Sequence, residues 1–262
     1  MAEKHYDWTK YHADIRPNKT AILDLDTGRE TSYKELDNRA SRLAGWLQAN
    51  KINKGDRVAI LMPNCPEFFE IQFACSKAGI VCLPLNWRLT ASELEYILND
   101  STPSIMIHDA SFAEMAVTLK QVCSIGGLLE VDSENLTTSY EEAIEQSNEC
   151  VPVETTHDDV CMIMYTSGTT GHPKGALITH GMVFYNCVNL GIPTCISANT
   201  VQLVVLPLFH TGGLNCYANP ILHAGGRILL MRDFEPGRAL QVIGNPELGV
   251  THFFAVPAPY QL

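Results

Sequence analysis

Short apolar runs alternate with segments of helical periodicity along most of this chain of 262 residues. One such run is Val58–Met62, and the segment before it repeats Leu36, Ala40, Leu43 and Leu47 at helical spacing. Continuous apolar runs bounded by turn residues are typical of strands that are buried on both faces of a parallel sheet. The alternation therefore predicts an α/β fold with layered, largely parallel sheets and flanking helices.

The same patterns predict the individual elements. We expect helices at 32–50, 66–79, 112–122, 182–190, 211–223 and 236–243, and another that begins near Ser92. We expect strands at 58–62, 80–83, 104–107, 127–131, 160–165, 176–179, 201–206, 227–231 and 250–256. Ser32 with Glu35, and Ser92 with Glu95, have the spacing of helix-capping pairs.

A polar stretch at 145–157 divides the chain. We expect residues 1–157 to form a first α/β subdomain, and residues 158–262 to begin a second one. The sequence ends in Pro257–Leu262 with no polar tail and no closing helix, so we expect the fold to be incomplete. An unfinished sheet leaves an edge or an apolar face exposed, which favours self-association into a homo-oligomer.

Charge and cysteine content exclude several classes of partner. The chain has 29 acidic and 18 basic residues, a net charge of -11, and no basic run, which argues against nucleic acid and anionic membranes. No apolar window reaches the ~20 residues of a membrane helix, and residues 1–14 do not resemble a signal peptide. The nine cysteines include no closely spaced pair, so we expect reduced thiols and a cytoplasmic protein.

The segment Tyr165–Gly175 follows a predicted buried strand and combines hydroxyl side chains, glycines and Lys174. Glycines bring backbone N–H groups close to a ligand, hydroxyls donate hydrogen bonds to phosphate oxygens, and lysine supplies a compact positive charge. A solvated surface turn is the alternative interpretation. A P-loop is excluded because that motif needs glycine before its lysine and Ser or Thr after it, whereas Pro173 and Gly175 occupy those places.

This segment resembles the phosphate-loop motif of the adenylate-forming superfamily, which includes acyl-CoA synthetases, luciferases and peptide-synthetase adenylation domains. Three further segments resemble motifs of that superfamily in the same order: Thr31–Leu36, Lys77–Asn86 and Leu206–Gly213. The resemblance implies the large N-terminal domain of the adenylate-forming fold, present in part, without the small C-terminal lid domain.

The resemblance also implies a two-step reaction with ATP, Mg²⁺ and CoA. A carboxylic acid attacks the α-phosphate of ATP and releases pyrophosphate, and the acyl-adenylate then passes to the thiol of CoA. By this likeness the nucleotide is bound by Thr166, Ser167, Gly168, Thr169, Thr170, Gly171 and Lys174, with Thr166 near the magnesium ion. The acid pocket is formed by His210, Thr211, Gly212 and Gly213, and the expected catalytic residues are Lys174 and His210.

His210 is expected to shape the pocket and not to act as a base, because a carboxylate is already ionised at neutral pH. A lone histidine beside Phe209 also fits a structural role. Peptide-synthetase relatives carry aspartate at this place, so the resemblance favours a fatty or aryl acid over an amino acid. The adjacent pair Asp158 and Asp159 fits a solvated turn better than a metal site.

The adenine- and ribose-contacting motifs of the superfamily and its lid lysine are not found before Leu262. We therefore expect this polypeptide alone to be inactive and the full-length enzyme to be an acyl-CoA synthetase. Two alternatives stay open: a non-catalytic ATP-binding or structural fragment, and an adenylating enzyme with an acceptor other than CoA.

Overall fold

The computed structural model describes residues 3–135, 137–166 and 172–256. Its strands are β1 Thr20–Asp24, β2 Glu30–Ser32, β3 Arg57–Leu61, β4 Val81–Pro84, β5 Ile105–Asp109, β6 Gly127–Val131, β7 Val160–Thr166, β8 Lys174–Thr179, β9 Val201–Val204, β10 Arg227–Leu230 and β11 His252–Phe253. Its helices are α1 Trp8–Ile15, α2 Tyr33–Ala49, α3 Pro66–Ala78, α4 Ala91–Ser101, α5 Ala113–Val122, α6 Ser139–Glu145, α7 His180–Gly191, α8 Thr211–Gly213, α9 Asn219–Ala224 and α10 Pro236–Gly244. A π-helical segment, Leu214–Ala218, connects α8 to α9.

The chain forms two compact units, each assembled from separate segments. The first contains Met1–Asp7, Asp37–Met62 and Glu67–Gly181, and the second contains Trp8–Leu36, Pro63–Pro66 and Met182–Leu262. The boundary between 157 and 158 that the polar stretch suggests stays a prediction.

The first unit is built on a sheet of six strands in the order β6-β5-β3-β4-β7-β8. All neighbours are parallel except β7 and β8, which are antiparallel. All residues of β4 and β5 are buried, as expected for strands in a sheet covered on both faces. One part of its core lies around Leu61, Leu83, Leu98 and Met106.

The second unit is built on a sheet of five strands in the order β11-β9-β10-β1-β2. Its strands are parallel except for the β1–β2 pair. A core cluster of this unit includes Leu203, Val205, Leu229 and Met231. The α/β fold with two largely parallel sheets is therefore confirmed.

Several element boundaries differ from the sequence expectations. Helix α4 is capped by Thr90 with Glu93, not by Ser92 with Glu95: the backbone N–H of Thr90 donates to Glu93 Oε2 at 2.8 Å. The predicted cap at Ser32 is confirmed, since its Oγ accepts a hydrogen bond from Glu35 N at 3.1 Å. The last strand is limited to β11, because only two of its residues pair with β9. The alternation did not predict α1, α6, β1 or β2.

Candidate functional site

The predicted phosphate loop connects the two strands of the β7–β8 hairpin. Thr166 is the last residue of β7 and Lys174 the first of β8, and the two are direct antiparallel partners. The predicted nucleotide-binding residues between them, Ser167, Gly168, Thr169, Thr170 and Gly171, lie outside the described residues. The structure thus brings together the first and last members of the predicted phosphate-binding set.

Lys174 is exposed at the loop end of this hairpin. In the described part of the chain, no carboxylate lies within ion-pair distance of its ammonium group, although other Lys and Arg side chains form ion pairs, among them Arg39 with Glu70 and Lys54 with Asp159. An exposed ammonium without an acidic neighbour is available to an anionic ligand.

Side chains next to the loop anchor the hairpin to helix α4. The Tyr165 hydroxyl donates to Asp100 Oδ2 at 2.5 Å, and burial, together with the Asp100 carboxylate, raises the pKa of this tyrosine. The His172 ring stacks on Tyr96 with centroids 4.6 Å apart and an interplanar angle of 17°. One anchor precedes the loop and the other follows it, so both ends of the predicted phosphate loop are positioned by α4.

Gly175 leaves the space that this arrangement needs. A Cβ atom at this position would lie 2.9 Å from Ile163 Cγ2 and 3.2 Å from a Tyr165 ring atom. The glycine after Lys174, which departs from the P-loop pattern, therefore has a packing role against the Tyr165 ring.

The predicted acid-pocket residues lie in the second unit, at the start of the helical stretch 211–224. His210 is exposed and extended, and its Nδ1 accepts a hydrogen bond from Gly212 N at 3.0 Å. Because a backbone N–H donates to Nδ1, a neutral His210 ring carries its proton on Nε2. The exposed ring therefore offers an N–H donor.

Gly213 allows close packing of this turn against the chain that precedes it. A Cβ atom on Gly213 would lie 2.2 Å from Pro207 O and 2.6 Å from Leu206 O, which no side chain tolerates. At Gly212 the nearest atom would be His210 Nδ1 at 3.2 Å. The two adjacent glycines thus have different roles, and Gly213 is the one that the turn requires.

Asn64 is a site-supporting residue that the sequence analysis missed. Its side chain is buried, with 4% of the residue exposed. Its Nδ2 donates to Leu206 O at 3.0 Å and Met231 O at 3.2 Å, and its Oδ1 accepts from Leu208 N at 2.9 Å. Asn64 therefore fixes the segment that leads to His210. The available signal was a polar residue between a buried strand and the proline that starts α3.

The helical stretch after His210 contains a second buried polar arrangement. Asn219 Nδ2 donates to Asn215 Oδ1 at 2.9 Å, and Asn186 Nδ2 donates to Asn215 O at 2.6 Å. The π-helical segment frees backbone groups from the usual ladder, and Asn186 satisfies the Asn215 carbonyl. Such π-helical segments are frequent at functional sites.

Asp159 has the partners of a structural turn. Its carboxylate accepts hydrogen bonds from Thr156 N at 2.7 Å and Thr156 Oγ1 at 3.0 Å, and it pairs with Lys54. Burial opposes ionisation of this carboxyl, but these hydrogen bonds dominate and lower its pKa. In the residues that the structure describes, no group of three or more His, Cys, Asp or Glu side chains is placed to hold a metal ion. None of the described helices is long and apolar enough to cross a membrane.

The sequence matches a known protein family along nearly its whole length. Residues 9–262 match the family described as AMP-binding enzyme. Feruloyl-CoA synthase of Amycolatopsis sp is 40% identical over 97% of this chain and 49% of its own length. Indoleacetate--CoA ligase of Aromatoleum aromaticum is 34% identical over 98% of this chain and 50% of its own length.

Solved structures agree with the sequence relatives. The crystal structure of ATP-bound MatB from Rhodopseudomonas palustris has a TM-score of 0.86 and 30% identity, and covers 97% of this chain and 50% of MatB. The chain thus spans about half the length of the relatives it matches. Because the family match extends over nearly the whole sequence, the chain belongs to the AMP-binding enzyme family.

Proposed function

We propose that the gene product containing this chain uses ATP to activate a carboxylic acid and then transfers the acyl group to CoA. In the first step a carboxylate oxygen bonds to the α-phosphorus of ATP and pyrophosphate leaves. In the second step the CoA sulfur bonds to the acyl carbon and AMP leaves. Membership of the family and the CoA ligases among its relatives support this proposal.

The observation that carries the proposal is the position of Lys174. It lies at the loop end of a hairpin whose connecting loop is rich in hydroxyls and glycines, and it has no acidic partner in the described residues. In the proposed site Lys174 neutralises the β- and γ-phosphates, while Ser167 to Gly171 donate from hydroxyls and backbone N–H groups. Charge-assisted hydrogen bonds of this kind contribute roughly 1.5 to 3 kcal/mol each.

Thr166 fits the proposed role near magnesium. Mg²⁺ prefers oxygen ligands and keeps several waters, and it is bound chiefly through substrate phosphates with few protein ligands. An exposed threonine hydroxyl at the edge of the loop matches that chemistry. The ion would neutralise phosphate charge, and Thr166 would orient its coordination shell.

His210 would bind and orient the reactants. Its Nε2–H donor fits an oxygen of the acid or of the pyrophosphate. No base is required at this position, since the attacking carboxylate is ionised at neutral pH. Thr211, Gly212 and Gly213 would form the wall of the acid pocket beside it.

The choice of acid is supported by the names of two relatives and by the absence of charged residues from one part of the sequence. No Asp, Glu, Lys or Arg occurs between Lys174 and Arg227, so this part of the pocket offers no charged group to an amino-acid ammonium. The names of feruloyl-CoA synthase and indoleacetate--CoA ligase refer to acids with aromatic rings, which favours an aryl acid over a fatty acid.

All nine cysteines are free thiols, which supports a cytoplasmic location.

Carboxylate-dependent exchange of pyrophosphate into ATP tests the proposal. We expect the complete gene product to catalyse exchange with one or more aryl acids, and Lys174→Ala to lower kcat/KM at least 100-fold, about 2.7 kcal/mol. Lys120→Ala is the matched control, because Lys120 is an exposed lysine on α5. Full exchange activity in Lys174→Ala would contradict the loop assignment, and formation of acyl-AMP without acyl-CoA would favour a different acceptor.

A further inference from the structure

Gln202, on β9 of the second unit, carries a buried amide group that is only half satisfied. The residue is 2% exposed, and its Nε2 donates to Leu203 O at 2.9 Å. A carbonyl oxygen only accepts hydrogen bonds, so this contact establishes which amide atom is the nitrogen. The other atom, Oε1, is buried and has no hydrogen-bond partner among the described residues.

Gln202 lines a small cavity together with glycines of the turn that follows His210. Other described residues that line the cavity include Gly212, Gly213, Tyr217 and Phe254. The cavity volume is about 10 Å³, which is room for a single group of the size of a hydroxyl or a water molecule. Gly212 and Gly213 have no side chains, so they line the cavity with main-chain atoms alone.

Two of the residues that line the cavity are aromatic. The rings of Tyr217 and Phe254 lie with centroids 5.2 Å apart at an interplanar angle of 38°. The remaining lining side chains, from Val204, Val205, Leu206 and Ala218, are apolar. A ligand that fits this environment has a flat apolar body and a single polar group.

The unsatisfied oxygen indicates what that polar group is. A buried acceptor without a donor costs free energy, so a ligand group that donates a hydrogen bond to Oε1 would bind favourably. An ordered water is held by two to four polar partners. Apart from Gln202 itself, Tyr217 is the one polar side chain among the described lining residues. A donor that is attached to an apolar ring would satisfy Oε1.

We propose that Gln202 determines specificity in the acid pocket: its amide oxygen accepts a hydrogen bond from a hydroxyl or N–H group on the ring of an aryl carboxylic acid. The donor occupies the cavity, and Tyr217 and Phe254 contact the ring. This inference rests on the proposed function, because it takes the turn at Gly212 and Gly213 as a wall of the acid pocket.

Pairs of acids that differ only in the donor test this assignment in the complete gene product. The panel contains phenylpropanoate, its para- and meta-hydroxyl derivatives, and indolepropanoate with its N-methyl derivative. We expect the wild-type protein to prefer at least one donor-bearing acid over its donor-free partner by about tenfold in kcat/KM for pyrophosphate exchange. Gln202→Met, which keeps the volume and removes the acceptor, should reduce that preference to about twofold or less.

Gln72→Met is the matched control. Gln72 is a similarly buried glutamine on α3 of the first unit, and its replacement should leave the preference unchanged. Retention of the tenfold preference in Gln202→Met would overturn the proposal. If that variant is too unstable to assay, the wild-type protein alone tests the proposal. A ratio of kcat/KM below about threefold for every donor-bearing acid over its donor-free partner would overturn the proposal. If no carboxylic acid supported pyrophosphate exchange, the proposed function itself would be rejected.

Discussion

The β7–β8 hairpin and the turn at 206–213 hold their exposed polar side chains by different means. The hairpin is anchored by side chains that reach a neighbouring helix, through Tyr165 to Asp100 and His172 to Tyr96. The turn is anchored through its backbone, which Asn64 binds and against which Gly213 packs. Hence we expect substitutions in the turn to cost more stability than substitutions at the loop end of the hairpin.

Gly213→Ala should have the largest effect on stability. Its Cβ would approach two backbone carbonyl oxygens at 2.2 and 2.6 Å, and backbone cannot rotate away as a side chain can. We expect urea unfolding to show a loss of about 3 kcal/mol. Gly212→Ala is the control and should lose about 1 kcal/mol or less, because its nearest atom would lie at 3.2 Å. Equal losses in the two variants would mean that the turn adjusts and is not fixed by its backbone.

Asn64→Ala should be the next most damaging change. It removes three hydrogen bonds to backbone groups and leaves the Leu208 N–H without its partner in a buried site. We expect the free energy of unfolding to fall by about 2 to 3 kcal/mol. Asn135→Ala, at an exposed asparagine, should change it by no more than about 0.5 kcal/mol. A small loss in Asn64→Ala would show that Gly213 packing alone holds the turn.

The sequence predicted the sheets better than the anchors, for a physical reason. A strand that is buried on both faces is mostly apolar, so β3 and β4 are visible as local patterns. The role of Asn64 depends instead on backbone groups 142 and 144 residues away, which no local pattern contains. The sequence pattern placed the cap of α4 at Ser92 for a related reason. Thr90 and Ser92 are both favourable N-cap residues, and the structure shows that the helix begins after Thr90.

The candidate site divides in the same way. The positions of Lys174 and His210 followed from composition and from the resemblance to a family. The hydrogen bond that sets the tautomer of His210 depends on the local turn, and the half-satisfied amide of Gln202 depends on strand packing. A polar residue at the second position of an apolar run gives no sign of its burial.

Acidification tests whether both regions lose stability through a buried histidine. His180 follows the hairpin directly and His223 lies in the helical stretch after the turn. Burial lowers the pKa of His180 to about 3, with further contributions from His5, His157 and Lys54 against an opposing one from Asp159. Burial and then His12 lower the pKa of His223 to about 4.

The sign of the effect follows from which state binds protons. Below the ordinary histidine pKa of about 6.5, this histidine binds a proton in the unfolded chain but stays neutral in the folded protein. The free energy of unfolding therefore falls as the pH falls towards 4. We expect His223 to account for a loss of about 1 to 2 kcal/mol between pH 7 and pH 5. In urea unfolding at both pH values, His223→Gln should lose less on acidification than wild type. An unchanged pH dependence would show that the second unit does not hold this histidine neutral.

Tyr165→Phe should have the smallest effect, because it removes one hydrogen bond at the partly exposed loop end of the hairpin and keeps the ring against Gly175. We expect a loss of about 0.5 to 1 kcal/mol in urea unfolding and a rise of about threefold in KM for ATP, since the loop that follows would lose one anchor. Tyr96→Phe keeps the ring that stacks on His172 and should change neither quantity measurably. A loss in Tyr165→Phe as large as that in Asn64→Ala would remove the distinction between the two regions, because a single side-chain contact would then stabilise the hairpin as much as three backbone contacts stabilise the turn.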